Sequence, residues 1–368
     1  MNKFYLWMGL ISIGILLGLW TTFKVYTVGF TVYAKTDVLV WTLPLSAYIF
    51  FSLTSAGLAF VSSFPVVFGI QRYEVIEKRT VYLEIAVLMG SFVCLLLHLG
   101  APLSVVYILF SPNPASPLWW LAVLYFVYFI LLISAFWRIH TGKISKTLGT
   151  LIFIIAIFSS TTLGWLLGMT DARAALNASF FSFYFPLTGL ASGMAALILF
   201  TMVYNKLSGQ ETTTEKRALF NEFSRLMGII AGMVAVLFLW RTISGGISST
   251  AVEYGAFKHM IGSIPYNIEF WLGLVIPTIL MLLPKIRVTT SGKIVASFLL
   301  LVGMFAGRLE FVLSGVVRPL GQMAEGRPEI VGYMPTIYEL FVVLFGFAVM
   351  LLIYSLGERF LKLEAAPE

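Results

Sequence analysis

One feature constrains this chain more than any other: about ten separate stretches, each roughly twenty residues long, are almost unbroken in apolar character. Coiled as an α-helix at about 1.5 Å per residue, such a stretch matches the ~30 Å hydrocarbon core of a bilayer. The stretches fall at 4–24, 39–70, 80–103, 117–138, 148–169, 177–205, 223–244, 266–284, 293–311 and 336–357 of the 368 residues. They predict an all-α polytopic membrane protein with about ten transmembrane helices. The runs are continuous rather than alternating, which argues against a transmembrane barrel. Charged residues make up 11% of the chain, under half of the ~25% usual in soluble domains. The second and sixth stretches are long enough to predict tilt or projection beyond the bilayer. The first, "MNKFYLWMGLISIGILLGLW", begins like a signal peptide, but no small-x-small cleavage site follows it, so a retained first helix is expected.

Lysine and arginine set the expected orientation. Sixteen of the 24 would lie on the side of both termini, among them Lys3, Arg72, Arg138, Lys206, Lys285 and Arg359. Eight would lie opposite: Lys24, Lys35, Arg173, Arg241, Lys258, Arg308, Arg318 and Arg327. The bias places both termini in the cytoplasm and the protein in the cytoplasmic membrane. It also accounts for much of the +7 net charge without a nucleic-acid partner. The outer connectors, near 24–38, 104–116, 245–265 and 312–335, are longer and rich in Gly, Pro, Ser and Tyr. They suit a docking surface or a lid, or else they are simple exposed connectors.

A weak internal repeat is present. "YIFFSLTSAGLAF" (48–60) and "YFPLTGLASGMAA" (184–196) each begin with Tyr and place Gly nine residues later, at Gly57 and Gly193. Both lie on spans running outside to inside, four spans apart. The pattern predicts one integral membrane domain over 1–368 holding two related four-helix bundles and two extra helices. A first bundle region is expected at 39–138 together with 1–24, a second, repeat-related one at 177–284, and the last two helices at 293–357. The small residues Ser55, Ala59, Ser63, Gly189 and Gly193 are explained by close helix packing before any ligand role.

An ionisable side chain in hydrocarbon costs about 2.5–3.5 kcal/mol on insertion scales, so each one inside a span is a functional candidate. The third stretch carries Glu84, Ser91 and His98 at seven-residue intervals. Seven residues turn a helix by about 700°, so the three share one stripe. The stripe would serve as a proton path; alternatively Glu84 is interfacial, paired with a loop arginine such as Arg79, and Ser91 bonds its own backbone. His98, in "CLLLHLGAPL", stands near the outer end of its span just before Gly100 and Pro102. It is either a proton exchanger near neutral pH or a satisfied interfacial histidine. Arg241, Arg308 and Glu310 fall at similar depth, with Tyr48, Tyr125 and Tyr128 able to join them. A polar ring at one end of an apolar space suits a lipid-like substrate with a polar head, such as a quinone.

The chain has three histidines, His98, His140 and His259, and one cysteine, Cys94. Only His98 lies convincingly within a span, which makes a bis-histidine transmembrane haem improbable. A single cysteine excludes an internal disulfide and any all-cysteine zinc or iron–sulfur site within this chain. No P-loop, Rossmann glycine pattern or HExxH motif occurs.

Several segments, in order along nearly the whole chain, resemble the polysulfide reductase, NrfD-type family of quinone-interacting membrane subunits. They are "WTLPLSAYIFFSLTSAGLAF", "LLLHLGAPL", "NPASPLWW", "EFWLGLVIPTILM", "GRLEFVLSGVVRPLGQ" and "YMPTIYELFVVLFGFAVMLLIYSLGERF". The ten-span length is most similar to the branch serving respiratory complexes of sulfate reducers, the DsrP and HmcC type. The resemblance implies a non-covalent menaquinone bound near the outer face, with no haem or iron–sulfur cluster in this chain. It implies a ferredoxin-like iron–sulfur subunit docked on that face. A multihaem cytochrome c and other membrane or cytoplasmic redox subunits would complete a complex of sulfur- or sulfate-type anaerobic respiration. It places His98 at the quinone head group and gives Arg308 a head-group or partner contact. Where some members carry an acid on the span after the histidine, this chain offers Tyr125 and Tyr128. Quinol would then deliver electrons to the partner while His98 takes a proton, with protons leaving outward or crossing by Ser91 and Glu84. A secondary transporter and a passive membrane anchor are the competing expectations.

Overall fold

The computed structural model describes residues 3–99, 102–169, 176, 178–209, 213–247, 251–319, 324–361 and 363. Gly100 and Arg173, singled out above, lie outside them. Among the described residues ten helices are long and apolar enough to cross a membrane, and no strand accompanies them. They are Phe4–Val28, Leu43–Val66, Gln71–His98, Pro117–His140, Lys146–Gly168, Ser179–Ser208, Thr214–Gly246, Ile264–Leu282, Thr290–Ser314 and Ile337–Phe360. Each corresponds to one of the ten apolar stretches, and they are numbered here as the first to the tenth span. The chain is an all-α multi-pass membrane protein.

The lengths depart from expectation in two places, the second span and the seventh. The second span is 24 residues, not an over-long one. Thr42 precedes it in extended backbone and Pro44 sits in its first turn, where a missing N–H costs nothing. Its C-terminal end is closed by Gly69 at φ 70°. The long spans are the sixth, 30 residues, and the seventh, 33 residues. The seventh would run about 50 Å at 1.5 Å per residue, well beyond the hydrocarbon core. Its extra turns carry Glu215, Lys216 and Arg217 and begin at Thr213, whose hydroxyl accepts the Lys216 N–H. The eighth span loosens into a π-helix from Ile268 to Val275, just before Pro277 enters the helix without a backbone donor.

The second span is the axis of the molecule. In its most apolar window 89% of residues are buried, against 17% in the first span. It packs on the third, fifth, sixth, ninth and tenth spans. The fourth span lies on the third and fifth, and the eighth lies on the seventh and ninth. The first span pairs with the tenth, which lies on the third; the Trp7 indole donates to Ser355 Oγ at 2.9 Å. The first span's Leu10, Ile13, Leu16 and Leu19 are exposed, as a lipid-facing surface requires.

Glycine permits the central crossing. A Cβ on Gly57 would fall on the Gly189 carbonyl, and one on Gly193 would fall on the Gly57 backbone. The two glycines matched by the sequence repeat therefore meet each other where the second and sixth spans cross. At the same interface Thr54 Oγ1 donates to Ser192 Oγ at 3.2 Å.

The connectors divide into two faces. Long ones follow the odd-numbered spans, and short turns follow the even-numbered ones up to the eighth. On the long-connector face Arg327 reaches Asp37 with two hydrogen bonds, at 2.6 and 3.0 Å. This ties the connector before the second span to the one before the tenth.

Candidate functional site

At the long-connector face the third span ends at His98, and Leu99 continues in extended backbone. His98 is half-buried, and its Nδ1 is buried with no hydrogen-bond partner among the described residues. The His98 carbonyl accepts Lys35 Nζ at 2.9 Å, and the Leu97 carbonyl accepts the Tyr33 hydroxyl at 3.1 Å. Those carbonyls are freed by the end of the helix, so the connector 29–42 is stitched onto the third span by its exposed acceptors. Lys35 also lies over the Phe30 ring, 4.8 Å from its centre.

Burial lowers the Lys35 pKa, and the Glu339 carboxylate offsets part of that effect. Burial raises the Tyr33 phenol, with Glu339 and Cys94 adding to the rise. Tyr333, whose hydroxyl accepts the Leu43 N–H at 3.0 Å, is likewise raised by burial, with Glu339 contributing. Tyr33, Lys35, Tyr333 and Glu339 thus form one electrostatic group around the end of the third span.

This end of the molecule also gathers polar atoms without partners. Thr42 Oγ1 and Ser46 Oγ at the start of the second span, His98 Nδ1, and Glu339 Oε1 at the start of the tenth are buried and without a hydrogen bond among the described residues. Deeper, the Tyr125 hydroxyl is in the same condition. Buried polar atoms are nearly always paired in folded proteins. Others occur elsewhere in the bundle, such as Thr201 Oγ1 and Thr278 Oγ1; those at this end come from four different spans, which fits a polar ligand head or ordered water among them.

Below that, a second network crosses the first half of the chain. Glu84 is fully buried. It accepts the Tyr128 hydroxyl at 2.6 Å and the Ser62 hydroxyl at 3.5 Å. Ser55 donates to the Glu84 carbonyl at 3.2 Å, so the second, third and fourth spans are joined at one level. Ser91 lies 2.6 Å from Ser52 Oγ and donates to the Tyr48 carbonyl at 3.2 Å. The rings of Tyr48, Tyr125 and Tyr128 form a ladder, with successive centres 6.3 and 6.5 Å apart. Towards the short-connector face, Ser62 and Glu77 line a cavity of about 30 Å³ together with Arg138 and Lys143.

A third network occupies the second half of the chain. Glu269, in the π-helical turn, accepts the Tyr184 hydroxyl at 2.9 Å, and its carboxyl rests against Gly307, where any side chain would collide. Arg308 donates to Thr188 Oγ1 at 2.5 Å and covers the Phe185 ring at 4.7 Å. Arg241 pairs with Glu310 at 3.0 Å, both nearly enclosed, and lies over Phe181. Glu310 also lines a cavity of about 210 Å³ on the long-connector face with His259, Met260 and Tyr333.

The structure therefore sorts the candidate residues. Tyr48, Tyr125, Tyr128, Glu84 and Ser91 share the first half. Arg308 and Glu310 belong to the second half, bonded to Thr188 and Arg241 rather than to His98. Glu84 turns to Tyr128 and Ser62, not to Arg79, whose Nε lies 2.7 Å from Glu358. Ser91 bonds Ser52 and Tyr48 rather than its own backbone, and among the described residues no hydrogen bond links it to Glu84 or His98. Sequence reading passed over Tyr33, Tyr333, Glu269 and Glu339. Glu269, an acid within an apolar run, was visible by the same rule that found Glu84. Glu339 was disguised, because Thr-x-x-Glu before an apolar run reads as a helix start.

Comparisons with known proteins agree on one family. A family model described as polysulphide reductase, NrfD, matches residues 31–319. The chain is 23% identical over 346 residues to an Hdr-like menaquinol oxidoreductase integral membrane subunit of Archaeoglobus fulgidus, covering 88% of this chain and 85% of that one. It is 22% identical to a putative dimethyl sulfoxide reductase membrane subunit of Halobacterium salinarum, with 98% and 92% covered. It is 22% identical to a selenate reductase subunit of Mesobacillus selenatarsenatis, with 79% and 77% covered.

Proposed function

The chain belongs to the NrfD polysulphide reductase family, and from that premise we propose that it is the quinone-binding membrane subunit of a respiratory oxidoreductase complex. The quinone is menaquinone, the site is the His98 end of the third span, and the long-connector face is the outer face of the cytoplasmic membrane. Both termini then lie in the cytoplasm, in accord with the lysine and arginine bias.

The observation that carries the reading is the set of unbonded buried polar atoms at this end: His98 Nδ1, Thr42 Oγ1, Ser46 Oγ and the Tyr125 hydroxyl. A quinone head has two oxygens that need donors or acceptors, and an apolar ring and tail that need burial. The residues present fit that group. When bound it supplies two-electron, two-proton chemistry. His98 Nδ1 holds or releases a proton at one head-group oxygen. Lys35 fixes the end of the third span by its bond to the His98 carbonyl. Tyr48, Tyr125 and Tyr128 shape the apolar wall below. Arg308 and Glu310 are bonded to Thr188 and Arg241, so their part is to brace the face on which a partner docks. That partner is a ferredoxin-like iron–sulfur subunit, joined by a multihaem cytochrome c and further redox subunits in sulfur- or sulfate-type respiration.

A proton path by Glu84, Ser91 and His98 is part of the proposal. The pairs Glu84–Tyr128 and Ser91–Ser52 support its first two members, and Ser62, bonded to Glu84, lines the cavity towards the short-connector face. Intervening water would complete it. An unchanged proton-to-electron ratio in Glu84→Gln removes the path.

The deciding experiment is mass spectrometry of the proteins and lipids that co-purify with this chain from native membranes in mild detergent. Menaquinone together with an iron–sulfur subunit is expected. A lone chain without quinone, recovered where known respiratory complexes stay intact, overturns the reading. In the complex, His98→Ala is expected to lower bound quinone and quinol oxidation together, whereas a passive anchor predicts no change in either.

A further inference from the structure

Glu339 stands at the third position of the tenth span and forms a capping box. Its Oε2 accepts the Thr336 N–H at 2.8 Å, and the Thr336 hydroxyl accepts the Glu339 N–H at 3.3 Å. A cap uses one carboxylate oxygen and ordinarily leaves the other to water. Here the residue is fully buried. Among the described residues Oε1 has no hydrogen bond of good geometry, although the Tyr333 hydroxyl is close enough to act on the carboxylate.

The groups facing it come from three directions. Tyr33 and Lys35 belong to the connector before the second span, and both respond to the Glu339 charge. The third span contributes Cys94, which lies against the tenth span with its Sγ 3.9 Å from the Val342 carbonyl, and His98 joins the set through Lys35. Tyr333 comes from the connector before the tenth span. Lys35 is the hinge of the set, since it bonds the His98 carbonyl while feeling the Glu339 carboxylate. An exposed glutamate would serve equally well as a cap. Burying it beside a lysine and two tyrosines is not needed for helix initiation.

We propose that Glu339 is a second proton-exchanging group of the head-group site, serving one end of a quinol-type ligand from the tenth span while His98 serves the other from the third. The inference rests on the quinone reading above and extends it to a span that reading left out. Oxidation of one quinol releases two protons and two electrons. Glu339 Oε1 takes one proton, so that one ligand O–H bond is broken and one carboxyl O–H bond is formed, and His98 Nδ1 takes the other. The two electrons pass singly to the iron–sulfur acceptor of the docked partner. Lys35 is a positioning residue that holds the end of the third span and sets a positive charge facing the carboxylate.

The test uses the purified native complex and a short-chain naphthoquinol. Glu339→Gln is informative because an amide oxygen still accepts the Thr336 N–H, so the cap survives while the proton site is lost. Expected are an unchanged thermal midpoint, retained quinone, a fall in quinol oxidation of about 10²-fold or more, and loss of one ionisation from the pH–rate profile. Glu339→Ala, which removes cap and proton site together, is expected to be as inactive and less stable. If Glu339→Gln matches wild type in rate and pH profile while Glu339→Ala is impaired, Glu339 is a cap alone and the inference fails with the quinone reading intact. If the wild-type complex binds no quinone and oxidises no quinol, the underlying reading fails first.

Discussion

Alanine at Gly57 probes the crossing that holds the two halves of the chain together. In that variant the new methyl lands on the Gly189 carbonyl, which is backbone, and no rotamer change can clear it. Overpacking against side chains costs about 1–3 kcal/mol. A backbone-on-backbone collision belongs at or above the upper end, because a whole helix must shift. Alanine recovers up to ~1 kcal/mol of helix propensity relative to glycine, so the net cost is about 2 kcal/mol or more. Total stabilities of ~5–15 kcal/mol make that a large loss. Two companions calibrate it. Gly189→Ala brings its methyl to 2.8 Å from the Leu53 carbonyl, a milder conflict. Gly9→Ala meets nothing within 4 Å and should be neutral or slightly stabilising. The assay is the thermal midpoint of the detergent-solubilised chain, read beside quinol oxidation in the complex. The expected order of stability is Gly9→Ala, then Gly189→Ala, then Gly57→Ala. Activity should fall with the last, since Ser52, Ser55 and Ser62 ride on the same span as Gly57. Equal midpoints for Gly57→Ala and Gly9→Ala would refute the close crossing and the reasoning built on it.

Three further outcomes are expected. Tyr128→Phe keeps the ring and removes the hydroxyl bonded to Glu84 at 2.6 Å, so it should cost about 1–3 kcal/mol; an unshifted thermal midpoint would show that the bond contributes nothing. Arg241→Ala leaves Glu310 buried without its ion pair and should cost about 3–5 kcal/mol, whereas the double change Arg241→Met with Glu310→Leu should recover most of it; a double variant no better than the single one would count against the pair. The Arg327 guanidinium, through its hydrogen bonds, holds the Asp37 pKa below the usual carboxylate range. The tie between the two outer connectors is therefore fully present above the unfolded value of about 3.9 and is lost as pH falls through the lower folded value. Limited proteolysis of residues 29–42 should accelerate in that acid window and in high salt, and Arg327→Ala should be cut at the fast rate already at neutral pH.

The ten spans were legible because hydrocarbon imposes a single rule, length in apolar residues, and nearly every part of this chain obeys it. Their ends were less legible, because polarity and proline decide them. The stretch 39–70 reads as continuous apolar sequence, yet Thr42, Pro44 and Gly69 confine the second span to Leu43–Val66. The seventh reads short in sequence because TEKRALFNEF has the polarity of a loop, yet the helix continues through it, outside the apolar window. The repeat was informative beyond composition. Its matched glycines, Gly57 and Gly193, are the residues in contact at the crossing, a relation that spacing within one span does not reveal.

The candidate site was legible along the third span, where helical periodicity puts Glu84, Ser91 and His98 on one stripe, and in Tyr48, Tyr125 and Tyr128 on the second and fourth. What periodicity does not report is which neighbour each polar group meets. Glu84 is satisfied from the second and fourth spans, by Ser62 and Tyr128, and Ser91 from the second alone. Depth along the membrane was equally ambiguous. Arg308 and Glu310 fall near the level of His98 in sequence order, but Arg308 directs its hydrogen bond to Thr188 and Glu310 pairs with Arg241. The residues that do surround the His98 end, Tyr33, Lys35, Tyr333 and Glu339, sit in connectors or in a first helical turn. Charge is unremarkable there by composition, because water is assumed to be near. Only burial distinguishes them. A lysine that bonds a helix-end carbonyl and a capping glutamate sealed from solvent are ordinary residues in unusual surroundings, and those surroundings are made by the tenth span closing over the third.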